Sequence, residues 1–485
     1  MATLLQVRQD RLVAIDQAGG HDGGGSIGAE TPAFAEHAAR ISRLRRQLAA
    51  IAGHGPVRLA KRTSNLFRSR AATKTPGLDV SDFTHVLRVD PLTQTAEVEG
   101  MVTYERLVDA TLPYGLMPLV VPQLKTITLG GAVTGLGIES SSFRNGMPHE
   151  SVLEMELLTG DGRIVVARPD NEHRELFHGF PNSYGTLGYA LRLRIQLEPV
   201  KPYVRLRHVR YHDPRAYFDA LGAACENRSH GGEPVDFVDG TVFGPDELYL
   251  TLGTFTDAVP ATSDYTWLGI YYRSIQRRET DQLTVRDYLW RWDTDWFWCS
   301  RAFGVQHRLP RLLLGRRLLR SSVYWKAVAF ERRFKVAERL LRLRGLPPEE
   351  TVVQDIEVPL ARAAEFLEFF EREIPISPVW VCPVRQRPGG AHWPLYELDP
   401  DALYVNFGFW SAVPLAPGEH ESVHNRMIEA EVTRLGGRKS LYSDSFYAED
   451  EFWRLYNGDA YRKLKRDYDP DERLLDLYEK CVRRR

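Results

Sequence analysis

Cysteine is scarce in this chain of 485 residues: Cys225, Cys299, Cys382 and Cys481 are far apart and form no CxxC pair. That spacing excludes a zinc ribbon and a disulfide framework and fits a reducing cytoplasm. Charge of one sign is missing too. Sixty-three Lys and Arg against sixty-four Asp and Glu leave a net charge of −1, whereas nucleic-acid binders usually carry a basic surplus, so no nucleic-acid partner is expected. No stretch reaches the ~18 uncharged apolar residues of a spanning helix. The opening MATLLQVRQDRLVAIDQ breaks its apolar run at Arg8, Asp10 and Arg11, so a signal peptide is not expected either. No internal repeat occurs. What is present is a hydrophobic content of 43%, enough for a sizeable core, in a length that suits two domains. Arginine far outnumbers lysine and alanine is plentiful, a composition common in GC-rich bacterial genomes.

Residues 1–30 end in AGGHDGGGSIGAE, a flexible leader. HAARISRLRRQLAAIAG has helical spacing and stops at Gly53. From about residue 56 the texture turns to short strands. VRLA precedes the polar turn KRTSNLFRSR; HVLRVD and TAEVEG flank a Pro91 turn as a hairpin. VTYERLVDATLPYG predicts a helix from Thr103 to Gly115, and VLEMELLT-GDG-RIVVA predicts a second hairpin. LRLRIQLEP alternates strictly, Leu191, Leu193, Ile195 and Leu197 against Arg192, Arg194, Gln196 and Glu198, as a half-buried strand does. Beyond Pro199 longer helices and many aromatics take over, which places a domain boundary near residue 200.

Three glycine-rich places compete as nucleotide sites. Gly23–Gly28 spells GxGxxG, but the next helix starts only near Glu36, and the place for the acidic residue about twenty positions on holds the basic run Arg43–Arg46. It reads as leader. The block from Thr126 to Ser142 is richer: Gly130, Gly131, Gly135 and Gly137 interleave with Thr126, Thr128, Thr134, Ser140, Ser141 and Ser142. Glycine lets backbone approach a ligand, and successive amides with nearby hydroxyls form an anion-binding concavity suited to a pyrophosphate. A plain tight turn packed with small residues fits the same spacing. The third, Gly185-Thr-Leu-Gly188, gains weight only from following the second across the GDG hairpin.

Strand and polar loop, TxGG-type block, D-G hairpin and GxxG strand follow one another between residues 56 and 200. In that order they resemble the FAD-linked oxidase superfamily of the vanillyl-alcohol-oxidase (PCMH) type. PLVVPQLKTITLGGAVTGLGIESSSFRNG, VVQDIEVPL (352–360), VWVCPV (379–384) and SLYSDSFYAEDEFWRLYNGDAYRKL (440–464) resemble the Δ24-sterol reductase branch, whose bacterial relatives include reductases of methylene-bearing fatty-acyl chains. The resemblance implies an α+β fold: a PCMH-type FAD-binding domain of two α/β subdomains, an α+β cap for substrate, and a C-terminal segment returning to the flavin. The organisation expected is leader and helix over 1–54, FAD-binding domain over 55–200, cap over 201–435 and C-terminal segment over 436–485.

The same resemblance implies FAD as cofactor, NADPH as electron donor and an apolar lipid alkene as substrate. A lipid-methylating enzyme would then act upstream. The implied cofactor-binding residues are Ser64 and Asn65 in the first loop, Thr128, Gly130, Gly131, Thr134, Gly135, Gly137 and Ile138 along the pyrophosphate and ribityl chain, and Gly185 and Gly188 closing over it. KRTSNLFRSR lacks the histidine that many superfamily members bond to their flavin, so non-covalent FAD is expected. A sterol-type alkene and an alcohol oxidised by oxygen stay open as alternatives.

The proton that accompanies hydride transfer to an alkene needs a placed acid. Candidates are Tyr442, Asp444 and Tyr447 in LYSDSFY, with His392 and Tyr404 as outsiders; structural hydrogen bonding is the competing role for each. His420-Glu421-Ser-Val-His424 spells HExxH, but PLAPGE just before it puts the motif at a helix start and residue 430 is Ala, so no metal site is expected. Residues 308–344 carry twelve basic residues and the acids Glu331 and Glu338, interleaved with leucines and aromatics. That pattern fits a helix on the inner face of an anionic membrane, and equally a solvated helix face packed on the cap. The aromatics of Tyr288–Trp298 read as core packing or as the wall of an apolar pocket.

Overall fold

The computed structural model describes residues 32–51, 55–60, 67, 68, 75, 77–334, 336–389, 391–420 and 422–484. The glycines at 23–28, and Ser64, Asn65 and Glu421, lie outside them. The chain divides into Met1–Ala39 and Arg40–Arg485. The described part of the first is the beginning of the helix Pro32–Ala50, which starts four residues earlier than Glu36 because Pro32 suits a first helical turn. All that follows concerns the second.

Its first half is an antiparallel six-stranded sheet in the order Val86–Asp90, Thr95–Glu99, Gly188–Pro199, Val152–Thr159, Ile164–Ala167, with Leu116–Pro118 against the end of Gly188–Pro199. Both hairpins read from the sequence are present. The alternating strand lies at the centre: Leu191, Leu193, Ile195 and Leu197 are buried. On its other face Arg192 ties together the two flanking strands through Glu97, Glu154 (2.8 Å) and Glu156 (3.0 Å). The helix after Thr103 runs Tyr104–Thr111 and tightens into a 3₁₀ turn before Gly115, which closes it at φ 70°.

Between Pro199 and Tyr203 the chain leaves this sheet for an eight-stranded antiparallel one. Its order is Thr280–Thr284, Tyr203–Tyr211, Glu247–Thr256, Phe237–Gly244, Val379–Val384, Tyr404–Pro414, Glu349–Pro359 and Arg438–Lys439. The last pair, grouped by sequence with the C-terminal segment, is the edge strand of this second sheet. The helices Pro214–Asn227, Leu360–Glu373 and Val423–Arg434 cover one face and bury a core of Phe366, Phe370, Phe407 and Phe409. The helix Gly458–Tyr468 returns to the first half, where Lys465 donates to Thr186 O and Tyr468 meets His173 Nδ1 at 2.9 Å.

Arg291 joins the two halves. Fully buried, it reaches Glu139 at 3.0 Å, just past the glycine block, and Asp239 at 2.8 Å, on a central strand of the second sheet, while its guanidinium lies 4.1 Å from the Tyr288 ring. Tyr288 in turn meets Ser140 at 2.7 Å. Burial pushes the Glu139 carboxyl up, and the attraction of Glu139 keeps the Arg291 guanidinium protonated despite its own burial. Removing the cation would strand two carboxylates in a dry interface. Arg291→Ala is expected to cost about 3–5 kcal/mol, read as a lower midpoint in urea.

Candidate active site

The glycine block folds as the helix Leu129–Gly135, capped by Thr128, whose hydroxyl accepts from the Gly131 amide at 3.2 Å. Its glycines first serve backbone packing. A Cβ on Gly130 would lie 2.6 Å from the Gly100 carbonyl oxygen, and one on Gly100 would lie 2.1 Å from that of Ala190. Three backbone segments are thus stacked at a distance that only glycine allows.

The same packing consumes the helix's first amides. Leu129 donates to Val102 O, Gly130 to Gly100 O and Gly131 to Thr128 Oγ1. The expectation of an anion-binding run of amides therefore moves along the chain. Leu136, Gly137 and Ile138 line the cavity, and among the described residues their amides have no protein acceptor.

Thr128, Gly130, Gly131, Thr134, Gly135, Gly137, Ile138, Gly185 and Gly188 all line one cavity of about 1340 Å³. Single-ligand pockets are about 300–1,000 Å³, so the space suits a cofactor together with a substrate. Tyr184, which the glycine motifs leave out, pins the two blocks to each other. Its hydroxyl donates to Gly135 O at 2.7 Å, its amide donates to Thr134 O, and Gly185 beside it takes φ 76°. Lys480 donates to Tyr184 O at 2.7 Å, and Arg68 stacks 5.3 Å from its ring. Phe67 and Arg68, two and three residues beyond the expected Asn65, also line the cavity. Glycine walls, unpartnered amides and adjoining cations suit a dinucleotide's pyrophosphate.

The opposite character prevails where the second sheet contributes. Trp296, Phe297, Trp380 and Trp410 line the cavity, with Phe297 at 4.6 Å from Trp410 and 5.3 Å from Trp380. Both readings of the aromatic segment hold, for different residues: Trp296 and Phe297 form cavity wall, while Tyr288, Trp292 and Trp298 are buried core. Trp296, Phe297 and Trp298 have φ of 45°, 49° and 51°. Such a left-handed run costs about 1–2 kcal/mol per residue and is the kind of strain that collects at functional sites.

Of the candidate acids the structure brings only Tyr442 to the cavity. Asp444 lies off the wall, its carbonyl accepting from Lys439, and Tyr447 is buried against Tyr456. His392 pairs with Glu397 at 2.9 Å and Tyr404 with the Asp399 amide, both away from the cavity. Asp355, unforeseen from the sequence, takes the place beside Tyr442. It accepts from Tyr442 and from Asn406 Nδ2 at 3.2 Å, and burial pushes its carboxyl up to about 6. Glu357, two residues on along the same strand, is pushed up to about 8 by burial and is hydrogen-bonded by Tyr396. Two acids at i and i+2 in a Val/Ile strand are a signal the sequence does carry, because the period-2 pleat sets both on one face.

The two HExxH histidines do not converge. The helix Val423–Arg434 begins inside the motif, so His420 is exposed ahead of it while His424 Nδ1 is held by Glu350 at 2.9 Å.

Residues 34–168 match the family model of the FAD binding domain. The chain is 28% identical over 424 residues to the Δ24-sterol reductase of Rattus norvegicus, covering 84% of this chain and 76% of the relative. It is 26% identical over 444 residues to that of Arabidopsis thaliana, covering 84% and 77%. It is 24% identical over 389 residues to cytokinin dehydrogenase 1 of Arabidopsis thaliana, covering 77% and 64%.

Gly130→Ala is expected to weaken FAD binding about tenfold to a hundredfold, because the Gly100–Gly130 contact must open at ~1–3 kcal/mol. Gly244→Ala, with open space around it, should leave the flavin content of the purified protein unchanged.

Proposed function

We propose that the chain, an FAD-dependent oxidoreductase of the vanillyl-alcohol-oxidase type resembling Δ24-sterol reductases, saturates a carbon–carbon double bond of an apolar lipid with NADPH as electron donor. The observation that carries this reading is the half-buried Tyr442–Asp355 pair in an aromatic wall of the cavity that the glycine loop also lines.

When bound, FAD supplies the two-electron chemistry that delivers hydride to one alkene carbon. An isolated alkene accepts hydride poorly, so the second carbon must be protonated by a placed acid. Trp410 Nε1 is a donor only, and it donates to the Tyr442 oxygen at 2.9 Å. With Asp355 ionised the phenolic hydrogen points at its carboxylate; once protonated, Asp355 donates to the phenol oxygen instead and the phenolic hydrogen is free to face the cavity. Burial holds the Tyr442 phenol well above its usual value, so it is protonated at neutral pH. Tyr442 gives that proton to carbon, and Asp355, itself reprotonated from solvent, restores it. Trp296, Phe297, Trp380 and Trp410 exclude water and accept the apolar chain.

Non-covalent flavin belongs to this reading, since KRTSNLFRSR has no histidine. Among the described residues no histidine lines the cavity, and burial pushes the Cys299 thiol on its wall up to about 12, leaving no thiolate to attack.

The specific substrate in this reading is a methylene-bearing fatty-acyl chain, the product a mid-chain methyl branch, and the supplier of substrate a lipid-methylating reaction. The Arg- and Ala-rich composition supports it. The names of the relatives favour a sterol alkene as the second reading, and cytokinin dehydrogenase favours an oxidising one. Anaerobic NADPH should bleach the flavin absorption, and a methylene fatty-acyl lipid, but not a Δ24-sterol, should restore it. Persisting bands with hydrogen peroxide formed from an alcohol would replace the reductase reading. Acid precipitation should leave the yellow colour in the supernatant.

Tyr442→Phe is expected to lower turnover ~10²–10⁴-fold with FAD retained. Asp355 carries its proton below about 6 and loses it above, so turnover limited by reprotonation falls as pH rises through that value. Asp355→Asn should abolish this limb of the pH profile.

A further inference from the structure

We propose that the helices Arg308–Leu318, Ser321–Phe334 and Val336–Leu343 form a docking face for an anionic lipid bilayer, from which an apolar chain passes into the cavity beside Ser321, Ser322 and Lys326. Eight of the eleven exposed large hydrophobic side chains among the described residues fall between Leu309 and Leu346, with Leu313 78% and Leu343 83% exposed. The other three, Leu92, Tyr114 and Leu475, are scattered. Single exposed leucines need no explanation; a concentrated set marks an interaction surface.

Eight of the basic residues fall into two groups. Arg311, Arg316 and Arg320 are used inward, on Asp295, Asp264 (2.6 Å) and Glu105 (2.6 Å), and fasten the helices to the body of the protein. Arg308, Arg317, Lys326, Arg339 and Arg344 are exposed and have no acidic partner among the described residues. Exposed leucines and phenylalanines bordered by available cations fit an acyl layer beneath anionic headgroups. A symmetric dimer through this face would set its cations against themselves, since a two-fold interface pairs the same patch with itself.

One helix of this face also reaches the cavity. Ser321, Ser322 and Lys326 line it from the same helix whose far end carries the exposed Phe330 and Phe334, 4.6 Å apart. A lipid chain would pass along this helix from the bilayer to the cavity. Only this delivery step rests on the lipid-alkene reading; docking does not.

The test uses the full-length, FAD-loaded protein and vesicle flotation, which reads docking without any turnover. Vesicles of phosphatidylcholine with about 30 mol% phosphatidylglycerol should carry the protein upward and release it at ~0.5 M salt, where surface attraction is screened. Pure phosphatidylcholine should carry little. Arg317→Gln, Arg339→Gln and Arg344→Gln combined should weaken binding about a hundredfold, each charge counting about fivefold, with flavin content unchanged. Leu313→Ser with Leu343→Ser, also at unchanged flavin content, should weaken it in a way that salt does not reproduce. Equal binding to neutral and anionic vesicles, no binding to either, or a concentration-dependent dimer abolished by the leucine changes would overturn the proposal. Reduction of an alkene lipid in detergent but at no greater rate from docked vesicles would remove the delivery step alone.

Discussion

The buried guanidinium of Arg291 is the constraint on which the site depends. It satisfies one carboxylate from the end of the glycine block and one from the second sheet, in a region closed to water. Neither carboxylate could stay there alone, because desolvation would far outweigh what packing returns. The clamp therefore fixes the distance between the cofactor loop and the aromatic wall. Arg291 also sits in the segment that supplies Trp296 and Phe297, so the left-handed turn aiming those rings is anchored within a few residues.

Around that anchor the cavity is built from two chemistries. The first half contributes bare backbone and amides, the second contributes aromatic rings and the carboxyl of Asp355. This division suits a ligand that is polar along its chain and apolar where it reacts. The polar groups on the apolar side are few and bonded to one another. Trp410, Tyr442, Asp355 and Asn406 form one hydrogen-bonded series, in which each partner limits where the next can point.

Much of the first half was legible in the residues. Both hairpins, the capped helix after Thr103 and the central alternating strand follow from local rules: turn residues, a cap hydroxyl and period-2 burial. The glycine block was legible as a ligand loop but not in its detail. Its leading amides are taken by Gly100 and Val102, distant in sequence, and no local pattern announces that pairing. Among the acids, Tyr442 reaches the cavity while Asp444 and Tyr447, two and five residues on, turn away. A non-repetitive segment has no period from which side-chain direction can be read.

What the sequence by itself determined is what short-range physics controls: strand and helix positions, the glycines that permit close backbone approach, the scarcity of cysteine and the basic, leucine-rich run near residue 320. The tertiary structure alone decided which of these features meet. Asp355, Trp380 and Trp410 come from three strands of the second sheet, and Phe67, Tyr184 and Lys480 from three distant parts of the chain. Their convergence depends on strand order and on the closure of long loops around a buried ion cluster. Those are properties of the whole packed chain, and no window of sequence contains them.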